Sequence, residues 1–150
     1  MPRASSAYIP AIRIWPMSDK IPGFKGRSIE DVQSRTFLRD LPACNGRFRY
    51  QSAGLNTDPG TVVLFQFKAR IIAIAVFLRD DKYEKAKRGY AGAIYIDPES
   101  IRTFEPIDLA GMRKIWPNFR AFGHVKQFLN PTVYAKFKRS LKKIAAAKSE

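Results

Sequence analysis

Residues 59–81, PGTVVLFQFKARIIAIAVFLRDD, constrain the fold more than any other part of the sequence. The stretch Val62–Phe67 is dense in residues that favour β-strands, and residues 71–78 form the longest apolar run. Only residues 68–70 separate the two stretches, so they must form a tight reversal, although they lack the glycine or asparagine of a preferred turn. The segment therefore predicts a β-hairpin.

Both faces of the second strand are apolar. Strict alternation would place one group on one face (Ile71, Ala73, Ala75, Phe77) and a second group on the other (Ile72, Ile74, Val76, Leu78). Both faces must then be covered, as in a small barrel with helices outside it. Ala73 and Ala75 leave space on their face, which is either filled by a helix or a large side chain or forms the floor of a pocket.

The remaining chain predicts strands early and a helix last. Strands are expected over 6–15, near 47–51, around 94–96 and over 101–104, and 118–129 is expected to be extended. Loops are expected over 40–60 and over the charged stretch 80–92. Helices are predicted to begin at the N-caps Ser28, Asp108 and Asn130, the last with Val133, Phe137, Leu141 and Ile144 in phase. The predicted fold class is α+β, a partly open β-barrel of about five to six strands flanked by two or three helices. The length favours one domain over 1–150.

Charge is the strongest global signal. The net charge is +14, and residues 111–150 carry ten basic side chains and one acidic one, an excess of +9. Residues 1–60 contribute +4 and residues 61–110 only +1. Such an excess attracts polyanions through long-range attraction and counterion release. A solvated, solubilising helix is the plainer explanation.

Composition excludes several other classes of function. Cys44 is the only cysteine and His124 the only histidine, so a Cys/His zinc site of the usual four-ligand kind cannot form. Neither a metal nor another cofactor is therefore expected. The eight-residue run 71–78 is far short of the roughly 20 residues that span a bilayer. A single cysteine and the absence of an apolar leader fit a cytoplasmic protein, and a monomer is expected.

The order of these segments resembles the PUA-like superfamily, and within it the EVE/YTH-like domains. The resemblance rests on Gly60-Thr61-Val62-Val63, the small residues of Ile71–Ala75, and Phe104-Glu105-Pro106-Ile107, and it covers about residues 58–141. Two positions depart from the pattern, since Thr61 replaces an aspartate and alanine replaces the usual glycine. More narrowly, the chain is similar to the EVE-like modules found with HNH nucleases in modification-dependent restriction enzymes.

The resemblance implies a non-catalytic domain that binds nucleic acid, DNA rather than RNA, and receives a flipped, modified base in an aromatic pocket. The residues that could form that pocket are Trp15, Phe65, Gln66, Phe67, Tyr95, Trp116 and His124. The residues that could hold the backbone are Lys68, Arg70, Arg120, Lys126, Lys138 and Arg139. Each of these aromatic residues also fits a plain role in the core, and each cation a plain role at the surface.

Three alternatives remain open at this point. PUA and YTH relatives bind RNA, and a charge of +14 serves either polymer. Domains of the related ASCH group include small nucleoside hydrolases, for which Lys68 with Glu99 or Glu105 would be the candidate pair. A protein-interaction module with a basic surface is the third alternative. No nuclease centre is visible, so a cleaving partner would be a separate nuclease protein.

Overall fold

The computed structural model describes residues 10–20, 23–51, 53–123 and 126–142. Its seven strands are β1 (Ile12–Pro16), β2 (Arg47–Tyr50), β3 (Val62–Phe67), β4 (Arg70–Lys87), β5 (Tyr90–Ile96), β6 (Arg102–Ile107) and β7 (Phe128–Leu129). Helix α1 spans 29–43 and has three consecutive parts, which are a turn of α-helix (Ile29–Asp31), a π-helix (Val32–Asp40) and a second turn of α-helix (Leu41–Ala43). Helices α2 (Leu109–Ile115) and α3 (Tyr134–Ser140) follow, with short 3₁₀ turns at Pro98–Ser100 and Pro131–Val133.

The strands form one strongly bent sheet in the order β2-β5-β4-β3-β1-β7, with β6 paired to β4 outside this path. Strand β1 runs parallel to β3, and every other pairing is antiparallel. The first half of β4 pairs with β3 and β6 and its second half with β5, so this one strand carries the sheet around a corner. Among the described residues the end strands β2 and β7 do not pair with each other. The sheet is therefore a partly open barrel, as the sequence predicted, with seven strands rather than five or six.

Each face of the sheet has its own core. The α1-side core packs helix α1 against one face and includes Trp15, Phe37, Phe65 and Phe67. The core on the other face includes Ile14, Leu64, Phe104, Met112 and Phe137, and it packs α2 and α3 against the sheet. Both faces of β3 are thus covered, so all six of its residues are buried and only Gln66 among them is polar.

The hairpin of β3 and β4 forms as predicted, with an unexpected turn and a bulge. Lys68 and Ala69 both adopt left-handed backbone angles, with φ of 51° and 58°. These angles are those of the preferred two-residue hairpin turn, here imposed by strand pairing rather than by glycine. Phe65 pairs with Ala73 but Gln66 pairs with Ile71, so Ile72 is an extra, bulged residue. The bulge turns Ile72 into the α1-side core and Ile71 into the opposite one, so the strict alternation predicted for these two residues is wrong.

Two other sequence predictions need correction. Residues 80–87 and 90–92 form an exposed antiparallel ribbon of β4 and β5 with a turn at Arg88 and Gly89, not a loop. The ribbon has few buried side chains, so no alternation of apolar and polar residues marked it as strand. The predicted loop over 40–60 begins late, because helix α1 continues to Ala43, although the short strand over 47–50 is confirmed.

The N-caps predicted at Ser28 and Asp108 are confirmed. The Ser28 hydroxyl accepts from the backbone N–H of Asp31, and the Asp108 carboxylate accepts from that of Gly111. Asn130 caps the 3₁₀ turn that leads into α3, and residues 128–129 rejoin the sheet beside β1. Strand β1 begins at Ile12; residues 6–9 and Ile144 lie outside the described residues. No helix within the described ranges has the length and apolar character needed to cross a membrane.

Candidate functional site

A cleft of about 610 Å³ lies between the end of β1, the edge strand β2 and helix α1. Its volume falls within the roughly 300–1,000 Å³ typical of sites for small organic groups. The walls carry aromatic side chains and the rim carries charged ones. The residues that line it are Trp15, Pro16, Met17, Ser18, Lys20, Gly23, Phe24, Arg27, Thr36, Asp40, Leu41, Cys44, Arg47, Phe48, Arg49, Tyr50, Gln51, Ala53, Tyr90 and Lys126.

The aromatic wall is a connected cluster. The ring of Trp15 packs edge-on against Phe48 at 5.8 Å between centroids and lies 6.2 Å from the ring of Tyr50. Phe24 stacks beside Phe48 at 6.1 Å, and Tyr90 completes the lining. Trp15, Phe48 and Tyr50 are buried, whereas Phe24 and Tyr90 are half-buried and present ring surface at the cleft mouth. The wall therefore offers both a fixed floor and accessible rings at the entrance.

The rim is strongly cationic. Five of the lining residues are basic (Lys20, Arg27, Arg47, Arg49, Lys126), and Asp40 is the single acidic one. Arg49 lies over the ring of Tyr90 with 4.3 Å between its guanidinium carbon and the ring centroid, and Lys126 Nζ lies 5.3 Å from the centroid of Trp15. Cations and aromatic faces are thus combined at the same opening, an arrangement that suits an anionic ligand with an aromatic group.

Arg27 is fixed in place at the rim. Its guanidinium donates to the Asp31 carboxylate and to the carbonyl oxygen of Gly23, the latter at 3.1 Å. The hydrogen bond from Arg27, with the charges of Arg27 and Arg35, holds the pKa of Asp31 below its ordinary value. Asp31 therefore stays ionised and keeps Arg27 oriented.

A partly buried hydrogen-bond network supports the cleft floor. The Tyr50 hydroxyl donates to Asp80 Oδ1 at 2.6 Å, and Asp80 Oδ2 accepts from the backbone N–H of Leu55 at 3.1 Å. Gly54 and Gly92 pack against this pair so closely that a Cβ at either position would clash with it. Burial, together with the Asp80 carboxylate, raises the pKa of Tyr50 well above its ordinary value. Tyr50 is therefore a neutral donor that ties β2 to β4.

This network makes the stability of the fold sensitive to alkaline pH. Above about pH 10 the unfolded chain ionises Tyr50 while the folded protein keeps it protonated, so the Tyr50 contribution is complete below pH 10 and declines above it. We expect the free energy of unfolding to fall more steeply from pH 9 to about pH 11 in the unaltered protein than in Tyr50→Phe. Urea unfolding of both proteins across this range measures the difference. Identical pH profiles would contradict the network.

Two residues predicted from the sequence, Trp15 and Lys126, line the cleft. Phe65 and Phe67 are fully buried behind it in the α1-side core, where Phe65 packs against Phe48 at 5.7 Å. Gln66 is buried and donates to the carbonyl oxygen of Gly123 at 2.9 Å, so it anchors the segment that precedes Lys126 rather than lining the cleft.

The structure does not bring the other predicted residues to this cleft. Tyr95 lies on β5 outside it, beneath Arg79 at 3.9 Å, and Trp116 is buried in the opposite core, donating to the carbonyl oxygen of Asn130. His124 lies outside the described residues. The other residues predicted to contact the nucleic-acid backbone also lie away from the cleft. They are Lys68 and Arg70 at a hairpin tip, the exposed Arg120, and Lys138 and Arg139 on α3. The cations chosen from the sequence are therefore spread over the surface rather than gathered at one rim.

Most of the residues that line the cleft were not predicted from the sequence. The segment Arg47–Tyr50, RFRY, alternates exposed arginines with buried aromatics, and this period of two was the available signal for Phe48 and Tyr50. Phe24, Arg27 and Tyr90 come from separate segments and carry no local signal. Ala73 and Ala75 are buried in the α1-side core with Phe37 and Phe65, so large side chains fill the space beside them.

A buried cation fixes the segment that carries Lys126. Arg13 on β1 is 8% exposed and donates twice to the carbonyl oxygen of Lys126, at 2.9 and 3.2 Å, and once to that of Asn56 at 3.1 Å. Its guanidinium also lies 3.9 Å from the centroid of Phe128. Burial lowers the pKa of Arg13 from its ordinary value. Arg13 is thus a structural clamp behind the cleft.

The described residues contain no group of three or more His, Cys, Asp or Glu side chains placed to hold a metal ion. Cys44 lines the cleft and is the only cysteine in the sequence. It therefore offers a single chemical probe of cleft occupancy.

Comparison with known proteins identifies the fold through structure rather than sequence. No model of a protein family matches the chain, and no curated protein matches it at a significant level. The crystal structure of ASCH from Zymomonas mobilis aligns with a TM-score of 0.56 and 9% identity, covering 89% of this chain and 98% of that one. A mutant of that protein gives the same TM-score and identity over 87% and 99% of the two chains. The Pho92 YTH domain, solved in complex with m6A, aligns with a TM-score of 0.52 and 12% identity over 91% and 86%.

The chain shares the fold of these ASCH and YTH domains. Identities of 9–12% establish the architecture and nothing finer. The predicted fold is thus confirmed, while membership of the PUA-like superfamily and the narrower resemblance to EVE-like modules associated with HNH nucleases stay predictions.

Proposed function

We propose that this protein binds nucleic acid and receives one modified base in the aromatic cleft between β1, β2 and α1. The observation that carries the proposal is the joining of the Trp15, Phe48 and Tyr50 cluster to a rim of five cations and one carboxylate. A nucleotide has both features that such a site complements, a flat aromatic base and an anionic backbone. The same fold in a YTH domain solved with m6A supports a modified base as the ligand.

The energies involved are consistent with a reader of this kind. Flipping a base costs a few kcal/mol of unstacking, and stacking on an aromatic side chain returns roughly 1–3 kcal/mol per base. A methyl group on the base adds about 0.8 kcal/mol when it is buried. One methyl therefore gives only about fourfold discrimination. Close packing in the cleft must supply the remaining selectivity.

Lys126 is the residue that would respond most directly to ligand. Its ammonium group covers the face of Trp15 at 5.3 Å, while its backbone is held by Arg13. A base that stacks on Trp15 displaces the flexible Lys126 side chain, which remains close enough to meet the phosphate of the same nucleotide. In this scheme the cation covers the ring when the cleft is empty and neutralises the ligand when it is filled.

The choice between DNA and RNA is the finer part of the proposal. Sequence resemblance favoured DNA and a separate nuclease partner, with RNA as the alternative, and the cleft chemistry suits either backbone. The ASCH-like hydrolase alternative has less support, because Lys68, Glu99 and Glu105 all lie outside the cleft lining. We propose a binding role and no catalytic step.

The test is a matched pair of tyrosine variants on one strand. Tyr90 and Tyr95 are both half-buried on β5 and each lies beneath an arginine, but only Tyr90 lines the cleft. Loss of a stacking ring should weaken binding of the preferred modified oligonucleotide by about 5- to 150-fold in Tyr90→Ala. Tyr95→Ala should change it by less than about twofold.

The measurement is fluorescence anisotropy at about 150 mM salt, which screens surface charges beyond roughly 8 Å. Matched single-stranded RNA, single-stranded DNA and duplex DNA would carry N6-methyladenine, 5-methylcytosine, 5-hydroxymethylcytosine or the unmodified base. A preference of tenfold or more, about 1.4 kcal/mol, for one modified form supports the proposal, and the preferred strand type decides between DNA and RNA. Equal affinity for all forms, or equal losses in the two tyrosine variants, would refute a base-receiving cleft.

A further inference from the structure

A second cationic surface lies on the side of the sheet that the cleft does not use. From Leu109 to Lys142 the sequence contains eight basic residues and no acidic one. One of the eight, Lys126, lines the cleft. The other seven are exposed, and they are Arg113, Lys114, Arg120, Lys136, Lys138, Arg139 and Lys142.

Helices α2 and α3 present most of these cations together. Both helices pack on the core opposite α1 through buried Met112 and Phe137. They are adjacent at their polar sides, because Lys136 Nζ donates to the carbonyl oxygen of Lys114 at 3.3 Å. Like charges are thereby placed side by side on two neighbouring helices.

A hollow of about 380 Å³ extends this surface towards β6. Arg102, Lys138 and Lys142 line it together with the hydroxyl-bearing Ser100 and Thr103. The Ser100 hydroxyl is engaged with Val76 and Asp97, so the hollow adds cations and the Thr103 hydroxyl group to the helix pair. We call the set Arg102, Arg113, Lys114, Lys136, Lys138, Arg139 and Lys142 the α2–α3 surface.

The charges of the α2–α3 surface are not balanced within the described part of the chain. The ion pairs among the described residues join Arg27 and Arg35 to Asp31, and Arg39 to Asp40. All of these residues lie in α1 or just before it, and none belongs to the α2–α3 surface. The nearest acidic residues along the chain are Glu99, Glu105 and Asp108. Arg102 donates to the backbone carbonyl oxygen of Glu99, the backbone N–H of Glu105 donates to the carbonyl oxygen of Lys142, and the carboxylate of Asp108 is engaged as the α2 N-cap. Solubility is served by interspersed charges of both signs, whereas a large field of one sign repels itself and attracts an oppositely charged partner.

We propose that the α2–α3 surface is a second nucleic-acid site, which binds the phosphodiester backbone without reading bases. Among the residues that line the hollow, Phe104 is buried and Tyr134 is half-buried beneath Lys138 at 5.7 Å. Exposed, clustered lysines and arginines around a single accessible ring provide counterion release without an aromatic wall that could sandwich a base. Because the cleft and this surface lie on opposite sides of the sheet, a strand held at both must pass around the edge of the domain. Longer nucleic acids then bind more tightly than short ones, and with a steeper dependence on salt.

The test compares two variants of equal net charge. The first carries Lys114→Gln, Lys136→Gln, Lys138→Gln and Arg139→Gln. The matched control carries Lys25→Gln, Lys82→Gln, Lys85→Gln and Lys87→Gln, four exposed lysines elsewhere on the chain. Each set removes four charges from the net +14, leaving +10. Any difference between them therefore reports position and not total charge.

Oligonucleotides of about 4 and about 20 nucleotides separate the two sites, because the shorter one cannot reach both. For the longer single strand, we expect the α2–α3 variant to lose tenfold or more in affinity. The slope of log K against log[salt] should fall by up to about 3 units if all four cations contact phosphate. The control variant should lose less than about threefold. For the short oligonucleotide both variants should behave like the unaltered protein.

Occupancy of the cleft is followed separately through the rate at which iodoacetamide alkylates Cys44. A cleft ligand should slow alkylation equally in both variants. Equal affinity losses in the two variants would overturn the α2–α3 proposal, and so would polyglutamate competing as well as nucleic acid of the same charge. If the α2–α3 variant alone loses affinity while Tyr90→Ala binds normally, the base-receiving cleft fails and the second site stands.

Discussion

Phe65→Ala is expected to destabilise the protein by about 3–5 kcal/mol, as for other large-to-small changes in a packed core. Phe65 is fully buried and lies between two rings, with Phe37 at 4.8 Å and Phe48 at 5.7 Å between centroids. Opposite it on β4 stands Ala73, which is too small to fill the cavity that truncation would leave. Urea unfolding at a constant m-value measures the loss.

The same truncation at an exposed phenylalanine is the control. Phe128 is 70% exposed, and its ring contacts the Arg13 guanidinium, so Phe128→Ala should cost no more than about 1 kcal/mol. Phe65→Leu should keep most of the stability and bind the cleft ligand nearly as well as the unaltered protein. If Phe65→Leu folds normally but loses ligand affinity by tenfold or more, Phe65 contacts the base and the placement behind the cleft is wrong.

Arg13→Met is expected to lower the free energy of unfolding by about 1.5–3 kcal/mol, because it removes the charged hydrogen bonds that the buried guanidinium donates to the carbonyl oxygens of Lys126 and Asn56. Methionine keeps much of the apolar stem, so the loss reports the guanidinium and its hydrogen bonds. It should also weaken binding in the cleft, since the Lys126 segment then keeps only its backbone pairing with β1 and the Gln66 anchor at Gly123. Equilibrium unfolding and oligonucleotide affinity are measured on the same samples.

Two further arginine variants show whether the effect of Arg13→Met comes from the lost hydrogen bonds or only from the lost charge. Arg13→Lys keeps the charge but loses the forked donor, and it should give an intermediate stability. Arg35→Met removes an exposed arginine paired with Asp31 at 3.0 Å, and it should change stability by less than about 1 kcal/mol. Stability of Arg13→Met equal to that of the unaltered protein would show that water replaces the guanidinium, and the clamp would not exist.

Secondary structure could be predicted from the sequence wherever one physical effect dominated a segment. The apolar density of Val62–Phe67 and the return strand predicted the central hairpin, and Ser28 and Asp108 marked helix starts through their caps. The charged ribbon over 80–92 was missed because solvent surrounds it, so pairing with β5 stabilises it without leaving an apolar pattern. The bulge at Ile72 was missed because both faces of the strand are apolar and a shift of one residue changes no visible alternation.

The candidate site was only partly predictable for a related reason. Trp15 stood out because it lies at the end of a predicted strand, next to a loop, and Lys126 because it belongs to the basic final quarter. Phe24 and Tyr90 reach the same cleft from distant segments, and their sequence neighbours give no hint of it. The cations Lys138 and Arg139, chosen from the same basic quarter as Lys126, lie instead on the helix pair across the sheet.

The sequence by itself determined the α+β class, the central hairpin, the helix caps and the excess of positive charge, because these depend on composition or on neighbours a few residues apart. The tertiary structure alone decided which aromatics became core and which became cleft, and which cations share a surface. Those outcomes depend on how β4 turns the corner between its two pairings and on which side of the sheet each helix packs. Burial is a property of the packed molecule, so residues of one type, such as Phe24 and Phe65, acquire their final roles only when distant segments meet.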